Sequence, residues 1–134
     1  MNLVEEIRAK LLKYPDVRYE IEEKRIWVFP ASENGFKGEL LERGSNSYVV
    51  FYNGWHEDFT EGAEALRCFA FGLSTQCRLL EYHRGNYAYK WALEVESPTG
   101  WVQESVTALI FVPFWREKKL RVLQNQYLRE KDAF

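Results

Sequence analysis

His56, Glu57 and Asp58 form the densest group of proton-active side chains in the sequence. An imidazole titrates near neutrality and a neighbouring carboxylate can orient it, so this trio offers a general base, part of a metal site or the core of a small hydrolase. Successive residues of an extended strand point to opposite faces, however, so His56 and Glu57 converge only if the chain turns between them. The plainer use is a solvated turn, with Glu57 or Asp58 near the start of a helix and His56 packed on Trp55.

His83 could join His56, or Cys77, because histidine, thiolate and carboxylate are the side chains that hold zinc or act in covalent catalysis. The histidines stand 27 residues apart and Cys68 and Cys77 stand 9 apart, and neither interval is a ligand motif. Cys68, in an apolar segment, reads as a small core residue. The glycines at 35, 38, 54, 62 and 72 are scattered and build no phosphate loop. No metal, no cofactor and no catalytic residue is therefore expected, and hydrolysis by His56 with Glu57 or Asp58 stands as the alternative to a non-catalytic role.

A second kind of chemistry lies late in the chain. Trp115-Arg116-Glu117-Lys118-Lys119-Leu120-Arg121 mixes an aromatic ring with positive charge. Aromatic and arginine side chains dominate interaction hot spots, which makes Trp115, Arg116 and Arg121 the candidate binding residues for an acidic protein partner. The alternative use of these charges is to guard a sheet edge against aggregation. With 18 basic and 20 acidic residues, the net charge of −2 argues against a general nucleic-acid binder. The charge is uneven: residues 1–64 carry 8 basic and 13 acidic side chains, residues 65–134 carry 10 and 7, and Arg129 extends the late cluster. Five Trp, eight Tyr and nine Phe could line a pocket for a small apolar ligand, fill the core, or leave an exposed patch that marks an interface. A homodimer is compatible with the same composition.

The elements that must position these residues follow from periodicity. Asn2 can cap a helix over roughly 3–13 with Leu3, Val4, Ile7, Leu11 and Leu12 on its apolar stripe, and Pro15 ends it. Residues 17–22 and 25–29 alternate as a hairpin, residues 36–42 and 48–52 continue it, and the result is a four-stranded meander. After the turn at Asn53-Gly54, Thr60 can cap a second helix starting near Glu61. Leu66, Phe69, Phe71 and Leu73 make that helix apolar on most sides, and burying them is worth on the order of 6–12 kcal/mol before entropy. Residues 78–82 and 87–95 read as strands and Trp101 to Val112 as a strand stopped by Pro113, while in 118–128 Leu120, Leu123 and Tyr127 fit a helix and Leu120 with Val122 fit a short edge strand followed by a tail, the reading preferred here.

With no strand–helix–strand alternation to demand a parallel sheet, the expected fold is α+β. It has an antiparallel sheet of six to seven strands, strongly curved in one version, with the N-terminal helix and the buried core helix on one face. One domain over 1–134 with a frayed tail after about 128 fits the length. The acidic amino terminus lacks a signal's apolar run, and no window approaches 18 apolar residues, so no membrane is expected. Two cysteines without a disulfide framework point to a reducing compartment, hence the cytoplasm.

Overall fold

The computed structural model describes residues 2–128. Its first helix, α1, spans Leu3–Leu11, opened by the Asn2 side-chain oxygen, which accepts from the Glu5 N–H at 2.8 Å. The Glu42 carboxylate takes a second orphan donor, the Val4 N–H, at 3.0 Å. Leu3, Val4, Ile7 and Leu11 are buried, whereas Leu12, expected on the same stripe, is exposed. One residue past Leu11 lies about 100° further round the helix, off the buried face.

Five strands follow as an antiparallel meander: β1 Arg18–Glu22, β2 Arg25–Phe29, β3 Gly38–Gly44, β4 Ser47–Tyr52 and β5 Trp55–Phe59. The fifth strand occupies the stretch read from sequence as an acidic turn. Asn53-Gly54 reverses the chain in two residues, with Asn53 at φ 53°, so Trp55 is already paired with Tyr52. Helix α2, Gly62–Gly72, comes next. Its N-cap is Glu61 in extended conformation with no side-chain cap, and not Thr60. Ala65, Phe69 and Leu73 are fully buried along one stripe, while Leu66 and Phe71 are only partly covered and Arg67 is exposed. The helix is therefore amphipathic, where its sequence suggested burial on most sides.

The chain then builds a second antiparallel sheet from β6 Cys77–Arg84, β7 Tyr87–Ser97, β8 Gly100–Ala108 and β9 Lys118–Leu123, in the order β8-β7-β6-β9. The expected single sheet is thus two, of five and four strands. What keeps them apart is the edge of β5. The Thr107 hydroxyl accepts from the His56 N–H at 3.2 Å and donates to the His56 carbonyl at 3.3 Å, so a side chain of β8 occupies backbone groups that a further strand would need. Trp55 Nε1 donates to Ser105 Oγ at 3.2 Å along the same junction, and Gly54 lies so close to the Trp91 ring that no side chain fits there.

One hydrophobic core joins both helices and both sheets, from Leu3 and Ile7 through Leu40, Tyr52 and Trp55 to Leu79, Trp91 and Leu123. Past β9 the chain remains fixed by the buried Asn125, whose side chain accepts from the Phe36 N–H at 3.1 Å and donates to the Phe36 and Gly72 carbonyls at 3.0 and 3.1 Å. The expected frayed tail, including Arg129, lies outside the described residues. No helix is long and apolar enough to cross a membrane among the described residues.

Candidate interaction surface

The histidine-centred trio lies on β5 and is split by the strand's alternation. His56 and Asp58 face outward, where the His56 ring rests 5.8 Å from that of Phe51 and Asp58 pairs with Arg43 at 3.3 Å. Glu57 points to the other side, into a cleft of about 370 Å³ between the sheets, with Trp55, Phe59, Cys68, Phe71 and Glu104 among its walls. Burial, then the charges of Glu104 and Asp58, raise the Glu57 carboxyl above its ordinary range. The structure therefore brings His56 next to Asp58 on one face but not next to Glu57. Cys68 is pushed up to about 12, chiefly by burial, which keeps it a thiol at neutral pH. Among the described residues no three histidine, cysteine or carboxylate side chains converge as a metal site.

His83 has a different partner. Cys77, Leu79, Glu81 and His83 share the inner face of β6, and the Glu81 carboxylate is buried there. It accepts from Trp91 Nε1 at 2.9 Å and Asn53 Nδ2 at 3.2 Å, and lies 2.7 Å from His83 Nε2. Burial disfavours its charge, but the hydrogen bonds from His83, Trp91 and Asn53 outweigh that cost and hold the carboxyl below the usual glutamate range. Because Asn53 belongs to the β4–β5 turn, Glu81 pins the first sheet to the second. The sequence carries the signal: a glutamate two residues beyond Leu79 on an apolar face.

Arg121 belongs to this cluster too. Its guanidinium reaches the Glu33 carbonyl at 3.1 Å and stands 3.9 Å from Glu81 Oε1. It is thereby separated from Trp115 and Arg116, with which it is grouped in sequence. Those two lie in the connection 109–117. Since β8 and β9 are the outermost strands, three spacings or about 14 Å apart, that connection must cross the end of the sheet. The apolar alternation that reads as strand as far as Val112 stops at Ala108, because the chain must leave the ladder to make this crossing. The Leu109 N–H still donates to the Tyr89 carbonyl of β7 at 2.7 Å, and further along the crossing Pro113 is buried.

The crossing carries an apolar crown. Ile110 is fully exposed, Phe114 is 73% exposed, Trp115 65% and Phe111 58%. Their rings are braced edge to face, Phe111 against Tyr87 at 5.7 Å and Trp115 against both Phe111 at 6.1 Å and Phe114 at 5.5 Å. The Gly85 N–H donates to the Glu117 carbonyl at 2.7 Å, tying the crossing to the β6–β7 turn. Register places Lys118 opposite Arg84 and Lys119 opposite His83, so Arg84, Arg116, Lys118 and Lys119 collect at this end of the sheet, with Glu117 as the acidic residue among them. Ile110, Phe111, Phe114, Arg84 and Lys119 were not singled out as binding residues by sequence reasoning. The signal for them is the run Leu109 to Trp115 ahead of a basic stretch.

No protein-family model matches this chain, and neither a curated protein nor a solved structure does.

Proposed function

We propose that the protein is a non-catalytic interaction module whose contact surface is the end of the second sheet: the crown of Ile110, Phe111, Phe114 and Trp115 with Arg116 and its basic neighbours. The observation that carries this reading is the concentration of exposed apolar side chains. Of the ten exposed large hydrophobic side chains among the described residues, all but Leu12 fall from Val102 to Val122. Folding does not need them there, and exposed patches of this kind mark binding surfaces. The surrounding arginines and lysines ask for a partner that presents negative charge around an apolar receptor. Arg121 stands at the margin of the surface, engaged with Glu81 and Glu33. The free state of Cys68 and Cys77 supports a reducing compartment, and the cytoplasm is the proposed location.

A hydrolytic site on His56 finds no support in the geometry, since Glu57 faces away and Asp58 is paired with Arg43. The test compares two variants of the tagged protein in capture from a whole lysate that retains its membranes. Arg116→Glu with Lys118→Glu should abolish specific capture, and His56→Ala should leave it intact. Capture indifferent to the charge reversal, with a hydrolytic activity lost on removing His56, would reverse the assignment.

A further inference from the structure

The tip combines two features that together narrow the partner: an apolar crown at the very end of a sheet, and a basic collar at the crown's base. We propose that this end adsorbs to the surface of an anionic lipid bilayer, with Ile110, Phe111, Phe114 and Trp115 entering the headgroup region and Arg116, Lys118 and Lys119, joined by Arg84, facing the lipid phosphates and carboxylates. The proposal rests on the tip being the contact surface.

Three observations carry it. The crown projects from the sheet end with Ile110 fully exposed; a protein partner would need a fitted hollow for it, whereas the disordered headgroup layer accommodates an irregular apolar projection. Its composition is that of interfacial anchors, tryptophan and phenylalanine for the boundary and lysine and arginine for the charged plane. Apolar insertion alone or a few basic residues alone give only marginal adsorption, and this end supplies both within one short connection. The loop is also braced for the task. Backbone bonds from Arg116 N–H to the Pro113 carbonyl at 3.0 Å and from Phe114 N–H to the Val112 carbonyl at 2.8 Å satisfy groups that would be costly to bring bare towards lipid.

A second copy of the chain fits less well. Two tips meeting across a two-fold axis would set Arg116, Lys118 and Lys119 against their own counterparts. Nucleic acid would satisfy the charges but leave Leu109 and Ile110 without a role. The sequence, with neither a signal's apolar run nor an 18-residue apolar window, leads to an expectation of no membrane, and adsorption at this end departs from it; the structure bears only on spanning helices, of which there is none among the described residues.

The experiment is co-sedimentation with vesicles of phosphatidylcholine alone and of phosphatidylcholine with phosphatidylserine. The full chain should pellet with the serine-containing vesicles, and less so as salt rises. Lys118→Gln with Lys119→Gln should weaken partitioning by roughly 25-fold, at about fivefold per basic charge. Phe114→Ser with Trp115→Ser should reduce binding to background, while circular dichroism melts show both variants folded. No binding of the wild type to serine-containing vesicles overturns the proposal, as does binding that survives both pairs of substitutions. If vesicles are not bound but the same variants lose capture of an acidic protein from a membrane-free extract, the lipid assignment falls and the interaction module stands. Loss of neither sinks both. Concentration-dependent dimers in sedimentation velocity that vanish with Phe114→Ser and Trp115→Ser also overturn it, in favour of self-association.

Discussion

On the outer face of the first sheet the aromatic rings are covered by their neighbours. Arg25 lies 5.4 Å over the Trp27 ring and is paired with Glu39 at 2.9 Å, and Phe51 is met by His56. The middle of the second sheet does the same, with Arg78 4.4 Å over Trp101 and bonded to Glu94, and Lys90 4.9 Å over Tyr82. At the end of that sheet the pattern stops. Phe111, Phe114 and Trp115 touch Tyr87 and one another, and their remaining surface is open. Among the described residues the chain therefore covers its outward rings with arginine, lysine or histidine side chains over the sheets and leaves them bare at the tip, which is the physical reason for proposing binding at the tip and stability in the rest.

The contrast is broken most severely by exchanging the two kinds of aromatic for charge. Phe69→Asp puts an unpaired carboxylate at a fully buried site of α2. That costs several kcal/mol against a total stability of roughly 5–15, so the thermal transition should lose its cooperativity. Phe114→Asp should melt like the wild type. Should the Phe69 variant keep a sharp transition, α2 is not the centre of the core.

Close packing gives the next effect. A methyl group at Gly72 would overlap the Tyr52 ring, whose hydroxyl accepts from the Gly72 N–H at 3.2 Å. Gly72→Ala should cost about 1–3 kcal/mol through this overpacking. Gly44 has nothing within 4 Å, and its change to alanine should be nearly silent. Equal denaturation midpoints for the two variants would contradict the packing of β4 on α2.

Glu81 tests the join between the sheets. Glu81→Leu leaves the Trp91 indole N–H without its acceptor and should cost about 1–3 kcal/mol. Because the folded carboxyl is held below its unfolded value of about 4.3, its contribution is complete above that pH and is lost as pH falls through the folded value. Wild-type stability should therefore decline on the acid side, and Glu81→Gln should flatten that limb. An unchanged acid limb in urea titrations across this range would assign the decline to other carboxylates.

These effects also show where the sequence was legible. Local signals held: the Asn2 cap, the presence of a strand over 87–95, though its burial does not alternate, and the two-residue turn at Asn53-Gly54 all depend on residues within a few positions of one another. What could not be read depended on pairing over long separations. Trp55–Phe59 looks like an acidic loop until Thr107, about fifty residues on, seals its edge, and one sheet becomes two for that reason. The binding candidates were divided in the same way. Trp115 and Arg116 face the tip because β9 pairs with β6 rather than β8, and strand pairing alone turns Arg121 towards Glu81. Glu81 itself was missed because a glutamate in an apolar strand reads as a surface residue until its donors are known.

That division of the basic cluster supplies the finest test. Arg116 is exposed on the crossing, and its side chain packs on Gly85, whereas Arg121 reaches Glu33 and stands near a buried carboxylate. Replacing Arg116 and Lys118 by glutamate should leave stability within about 1 kcal/mol, as for other surface positions. Arg121→Glu, an equal reversal of charge, brings a carboxylate beside Glu81 and removes the bond to the Glu33 carbonyl. The Arg121 guanidinium is about half exposed, so solvent screens most of the difference, and the expected loss exceeds that of the double variant by no more than about 1 kcal/mol. The ordering is the informative quantity. Paired chemical melts in which the tip variant is the less stable of the two would mean that the crown's basic collar helps to hold the fold, and the separation between a stabilising body and a binding tip would have to be redrawn.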